Sequence, residues 1–255
     1  MTLLESVAIL LAGVGAGTIN TVVGSGTLIT FPTLLAFGVP PVTANVSNTI
    51  GLVPGTLTGA YGYRRELGGQ RGLVLRLLSA SVLGGIAGAV LLLTLPSAAF
   101  EAVVPVLIGV GVLLVIFQPR LASRIAARAG RHPEERRTKE SRWVWPTILG
   151  TGVYGGYFGA AQGVLLMGVL GIGVPQEIQR NNAVKNVLSS AVNVMAAVVF
   201  LLVADIDWAI VGLIAAGATL GGLIGARVGR RLPPIVLRVV IVVVGVVAVS
   251  AFVVG

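Results

Sequence analysis

Residues 3–37 read LLESVAILLAGVGAGTINTVVGSGTLITFPTLLAF. The run is apolar enough to enter a bilayer but too long for a single crossing, which takes about 20 helical residues. Its middle, Thr18-Ile19-Asn20-Thr21-Val22-Val23-Gly24-Ser25-Gly26-Thr27, mixes amide, hydroxyl and glycine residues. Backbone groups left unpaired in lipid are costly, so a helix that stops at membrane depth must face protein or a cavity. The stretch therefore reads as a broken helical hairpin held inside a membrane.

Composition agrees along the whole chain. Its 255 residues are 55% hydrophobic and 11% charged, with mean hydropathy +0.97. A soluble domain carries about 25% charged residues to solvate its surface, so an ordinary soluble enzyme is excluded. The 36 glycines sit within apolar runs, where close helix packing uses them. There is no cysteine, and the one histidine, His132, lies in the most charged stretch. Disulfides, thiolate chemistry, a His triad and a multi-His metal site are all unavailable. No cofactor is expected.

Single spans are expected at 43–63, 72–94, 99–118, 182–203, 208–226 and 234–254. A second overlong, interrupted region at 143–172 parallels 3–37. The start lacks a basic leader and is not expected to be a removable signal peptide. Sixteen of the 18 Lys and Arg residues fall in or beside three connections, around 64–76, 120–142 and 227–238. The connection at 204–207 instead carries Asp205 and Asp207. This positive-inside asymmetry predicts that the basic loops are cytoplasmic, and the charge is read as a topology signal rather than a nucleic-acid surface. Residues 143–172 must then enter and leave from the cytoplasm, while 3–37 opens outward and both termini are external.

The second half echoes the first. Leu83-Gly84-Gly85-x-x-Gly88-Ala89 matches Leu220-Gly221-Gly222-x-x-Gly225-Ala226, 137 positions on. Gly13, Gly15, Gly26 and Leu28 fall on Gly150, Gly152, Gly163 and Leu165, and Val46-x-Asn48 falls on Val184-x-Asn186 after small shifts. The expected fold is all-α and polytopic, with two four-element repeats at 1–118 and 143–255 joined by a basic cytoplasmic loop at 119–142. Each repeat is a broken hairpin followed by three crossing helices. An odd number of crossings inverts the second repeat, the plan of many secondary transporters, whose sites lie where broken helices meet near the midplane.

The candidate site follows from that plan. From the first break come Asn20, Gly24, Ser25, Gly26 and Thr27; from the second come Gly159, Gln162 and Gly163. Exposed N–H groups at the start of a half-helix favour an anion, although glycines alone also serve tight helix crossings. The helices after the breaks open with Asn45, Ser47 and Asn48, and with Asn181, Asn182, Lys185, Asn186 and Asn193. Lys185 is the one cation sited inside a predicted span rather than near a cytoplasmic basic loop. It either lines a pathway or snorkels to the interface. No carboxylate sits centrally in any span, so an anion is the natural cargo, with Lys185 supplying charge and Asn48 and Asn186 supplying hydrogen bonds.

Together these residues resemble the TauE/SafE family of sulfite exporters. The resemblance is carried by Gly13-x-Gly15-x-Gly17, Gly24-Ser25-Gly26-Thr27, Pro32-x-Leu34-Leu35, Gly38-Val39-Pro40-Pro41, Ala44-x-x-Ser47-Asn48 and Tyr63-Arg64-Arg65. In the second half it continues through Gly155-Gly156-x-x-Gly159-Ala160, Gly163-x-Leu165-Leu166-Met167 and Ala183-x-Lys185-Asn186. It implies transport of sulfite or a small organosulfonate across the plasma membrane.

The expected function is secondary transport of a small sulfur-containing anion, sulfite export foremost. An anion channel, or a carrier for another organosulfonate or a carboxylate, is the alternative. A membrane enzyme would need a nucleophile, acid–base pair or metal set within the spans, and none is visible. The expected partners are the anion and membrane lipid. The Gly84-x-x-x-Gly88 and Gly221-x-x-x-Gly225 spacings suit either a homodimer or packing within the subunit. For topology, single cysteines at Gly130 and Ile206 should react with an impermeant reagent from opposite faces of the membrane; labelling from one face would overturn the inversion.

Overall fold

The computed structural model describes residues 1–131, 141–228, 239 and 241–243. Among them the chain is helical and has no strand. The helices are α1 (Leu3–Val22), α2 (Thr27–Ala36), α3 (Pro41–Gly62), α4 (Arg71–Thr94), α5 (Ser97–Arg131), α6 (Val144–Tyr157), α7 (Gln162–Gly173), α8 (Ile178–Val203) and α9 (Trp208–Val228). A short 3₁₀ turn, Arg64–Leu67, joins α3 to α4. The expected span at 234–254 lies outside the described residues except at 239 and 241–243, as do 132–140 with His132 and the basic stretch around it.

Among the described residues, five helices are long and apolar enough to cross a membrane: Leu3–Val22, Arg71–Thr94, Ser97–Arg120, Ile178–Val203 and Trp208–Arg227. α2 and α7 are apolar but short. α3 has the length for a crossing but not the hydropathy, because it carries Thr43, Asn45, Ser47, Asn48, Thr49, Thr56 and Thr58. It packs against α1, α2, α5, α8 and α9, so its polar groups meet protein rather than lipid. One boundary differs from expectation. α5 continues through Arg131, so the first part of 119–142 is helix rather than loop.

Local chemistry sets the hairpin ends. α1 starts on a capping box: Glu5 N–H donates to Thr2 Oγ1 (3.2 Å) while Thr2 N–H donates to Glu5 Oε2 (2.8 Å). It ends where the N–H groups of Val23 and Gly24 both fold back onto the Ile19 carbonyl, at 2.7 and 3.0 Å. α6 ends the same way, with Phe158 and Gly159 donating to the Tyr154 carbonyl at 2.9 and 3.1 Å.

Packing is equivalent in the two halves. α1 lies mainly on α9, and α6 on α4; α3 packs on α9, and α8 on α4; α3 and α8 meet each other. Exchanging α1 with α6, α3 with α8 and α4 with α9 maps this set of neighbours onto itself. The repeated glycines lie at these crossings. A Cβ on Gly84 would strike Leu149 O and Gly152, and one on Gly88 would strike Val153 O; one on Gly221 would strike Val14 O, and one on Gly225 would meet Thr18 O. These spacings therefore serve helix pairs within the subunit.

Gly88→Ala and Gly221→Ala should each lower stability, by about 1–3 kcal/mol on the usual cost of overpacking. Gly109 and Gly212 have open space where a Cβ would go, so alanine there should raise it by about 0.5–1 kcal/mol. Thermal unfolding in detergent checks both; equal effects at all four positions would overturn the assignment.

Candidate functional site

The two breaks touch. Gly163 N–H donates to the Gly24 carbonyl at 2.9 Å. A Cβ on either glycine would strike the other's backbone. Gly24 also holds φ +87° and Gly159 φ +77°, a region that favours glycine. Hence the breaks are in direct backbone contact rather than facing each other across a gap.

Lys185 sits about two turns into α8 and is wholly buried. Its Nζ donates to the carbonyls of Asn20 and Thr21, each at 3.2 Å. Asn186 Nδ2 donates to the same Thr21 carbonyl at 3.3 Å. Snorkelling is thereby overturned, since the side chain reaches into the protein toward α1. The last four carbonyls of a helix have no partner within it and carry its negative dipole end. A lysine ammonium answers both needs at once, with charge-assisted bonds. Among the described residues Lys185 has no carboxylate partner.

The first break is braced from α3 and from within. Asn48 accepts a hydrogen bond from Thr30 Oγ1 at its Oδ1, and its Nδ2 donates to Thr27 Oγ1 at 3.5 Å. Asn20 Oδ1 accepts from Gly26 N–H at 3.4 Å. Ser25 is 1% exposed and its Oγ has no hydrogen-bond partner. This orphan hydroxyl lies beside the start of α2, where the N–H groups of Gly26, Leu28 and Ile29 already have acceptors.

The second break is held from the other repeat. Asn45 of α3, fully buried, donates through Nδ2 to the Tyr157 carbonyl at 2.9 Å. Gln162 Nε2 donates to Thr151 O at 3.3 Å, and its amide lies against Gly155. Behind this break Phe31, Phe100, Tyr157 and Phe158 pack edge to face, with Phe31 and Phe158 centroids 5.1 Å apart.

Of the expected site residues, the structure gathers Asn20, Lys185 and Asn186 at the end of α1, and Asn48 with Thr27 beside the first break. Gly24 and Gly163 form the contact between breaks. Ser47 goes elsewhere: its hydroxyl accepts from Asp207 N–H at 3.1 Å. Asn193, half-buried, has no hydrogen bond among the described residues. Sequence reading gave Asn45 no site role and missed Thr21, Thr30 and Tyr157. The Thr21 and Tyr157 contributions are backbone carbonyls, which leave no trace in side-chain type.

Helices long and apolar enough to cross a membrane, with two breaks meeting at glycines and tied by buried amides and an ammonium, place the chain among multi-pass membrane proteins. The chain belongs to the TauE/SafE sulfite exporter family, whose sequence model matches residues 9–252. Similar proteins include a "Probable membrane transporter protein" of Haemophilus influenzae, 27% identical over 84% of this chain and 81% of that protein. "Probable membrane transporter protein YfcA" of Escherichia coli K12 is 24% identical over 85% and 76%. "Probable membrane transporter protein ORF9" of a Sinorhizobium species is 29% identical over 85% and 78%. No solved structure matches significantly.

Gly24 and Gly38 both have positive φ, but a Cβ at Gly38 meets nothing while one at Gly24 meets Gly163. Gly38→Ala should cost only the left-handed backbone penalty, about 1–2 kcal/mol. Gly24→Ala should cost more and abolish transport. Paired unfolding and flux measurements that give the two variants the same phenotype would overturn the break contact as a functional element.

Proposed function

We propose that the protein is a secondary transporter of a small sulfur oxyanion, sulfite foremost, in the plasma membrane. On this reading the two halves are inverted and alternate in access about the meeting point of the breaks. The basic connections are cytoplasmic and the termini external. One observation carries the reading: the Lys185 ammonium is fully buried between the halves, on two helix-end carbonyls, without a carboxylate partner among the described residues. A buried charge with no counterion is expensive, and a transported anion supplies the missing one. Two of the three Nζ hydrogens are taken by carbonyls, which leaves a donor for an oxyanion. The orphan Ser25 hydroxyl is a second donor near the same break.

Asn48 and Asn186 act in this reading as donors that exchange partners. Their amides hold Thr27 and the Thr21 carbonyl when no anion is bound, and turn to its oxygens when one is. Exchange of one hydrogen bond for another keeps binding weak enough for release. The closed contact of Gly24 with Gly163 favours a carrier over a channel, since a conducting pore needs a continuous opening at this level. The buried polar set is made of amides, hydroxyls and one ammonium, which suits passage of an ion better than covalent chemistry.

In proteoliposomes Lys185→Ala should lose most sulfite flux while still inserting and running as a folded monodisperse species. Lys185→Gln, which keeps donors and removes charge, should lie closer to Ala than to the parent. Normal flux through Lys185→Ala at equal incorporation would sink the anion site. Sulfate, thiosulfate, sulfoacetate and acetate run as competitors would rank the substrate class.

A further inference from the structure

The two half-helix ends are built alike but satisfied differently. In α1 the N–H groups of Val23 and Gly24 take the Ile19 carbonyl; in α6 those of Phe158 and Gly159 take the Tyr154 carbonyl. In this register the Asn20 and Thr21 carbonyls correspond to those of Gly155 and Gly156. The first pair receives the Lys185 ammonium. The second pair, among the described residues, receives no hydrogen-bond donor from the break or from a side chain. The position that matches Lys185 in the repeat is Ser47, and its hydroxyl is turned to Asp207. No cation comes from α3 to the end of α6.

Oxygen atoms do come. Asn45 is completely buried, its Nδ2 is fixed on the Tyr157 carbonyl, and its Oδ1 has no partner. The Nδ2 bond also fixes which way the amide faces. The Gln162 amide lies against Gly155 with its Nε2 held on the Thr151 carbonyl, which leaves Oε1 as a further oxygen on this face of α6. Carbonyl oxygens at the negative end of a helix, an orphan amide oxygen and a second amide form a ligand set for a cation.

We propose that the C-terminal end of α6 binds a sodium ion through the Gly155 and Gly156 carbonyls, Asn45 Oδ1 and Gln162 Oε1, in the place that Lys185 fills at the end of α1. Every ligand is a neutral oxygen. Magnesium and calcium are held largely through carboxylates, and none is present here. A transferable proton would need a titratable base, and amide oxygens are not one. A monovalent alkali ion fits what remains. As a consequence for transport, which rests on the anion reading above, one fixed and one exchangeable cation would together balance a divalent oxyanion such as sulfite. Sodium would then be the coupling ion.

The test uses the full-length protein in lipid nanodiscs, without sulfite. Binding of ²²Na⁺ is measured against choline at constant ionic strength, alongside the thermal midpoint in sodium and choline chloride. The parent should bind ²²Na⁺ saturably and gain thermal stability in sodium. Asn45→Leu should lose both effects. Asn45→Ser, a smaller change that withdraws the amide oxygen, should also lose them if the leucine variant does not insert. Absence of saturable ²²Na⁺ binding in the parent, or full binding in a folded Asn45 variant, would overturn the site. The two readings fail separately. Normal sulfite flux in Lys185→Ala would reject the anion site and leave sodium binding untouched; Lys185-dependent flux that is indifferent to sodium would reject the coupling alone.

Discussion

A helix that stops inside a membrane leaves its last carbonyls facing nothing, and hydrocarbon offers them no donor. α1 and α6 both end in the packed interior, at Val22 and Tyr157, with Val23 and Phe158 buried. Each is rescued by the other half of the chain: α8 of the second half sends Lys185 and Asn186 to α1, and α3 of the first half sends Asn45 to α6. The polarity of α3, the burial of a lysine and the meeting of the two breaks all answer this need. The helices that lack it, such as α4 and α9, are held by glycine crossings and apolar packing.

Much of this was legible in the sequence because membrane burial leaves strong signals. The hairpin at 3–37 is seen as α1 and α2, and 143–172 as α6 and α7, because glycine and amide residues interrupt runs otherwise long enough to cross. The helices expected at 72–94 and 208–226 are found at Arg71–Thr94 and Trp208–Val228. The Gly84/Gly88 and Gly221/Gly225 spacings were ambiguous between dimer and fold, since a small-residue stripe looks the same in either use. Only the backbone of α6 or α1 lying against each one decides it. The end of α5 was misread because arginine-rich residues suggest a loop, yet arginine is a good helix former, and the helix continues through Arg131.

The site was less legible, for a specific reason. Lys185 announced itself as a charge in an apolar run, and its amide neighbours stand beside it at the opening of the same helix. Its partners are main-chain oxygens of Asn20 and Thr21, which any residue type could have supplied. Asn45 and Ser47 sit two residues apart in the same polar cluster, but they face the Tyr157 carbonyl and Asp207 respectively. Side-chain direction on α3, not composition, sends one to the second break and the other to the connection before α9.

The glycine crossings also say where the molecule can give. Those of α1 with α9 and of α3 with α9 knit one group of helices; those of α4 with α6, and Gly85 against Val192 of α8, knit the other. Each group draws helices from both sequence repeats. Backbones packed this closely move as a unit, because sliding them would drive carbonyls into one another. Between the groups lie α3 against α8, the Gly24–Gly163 contact and the polar ties to the ends of α1 and α6. Those ties join the two groups, so the rocking that alternating access requires would stretch the Lys185 and Asn45 bonds together. An anion that draws the ammonium off the Asn20 and Thr21 carbonyls would weaken one of the few polar ties across this seam. On the proposed reading, occupancy of the site and motion of the two helix groups share the same hydrogen bonds, which is the coupling that a carrier, unlike a pore, must have.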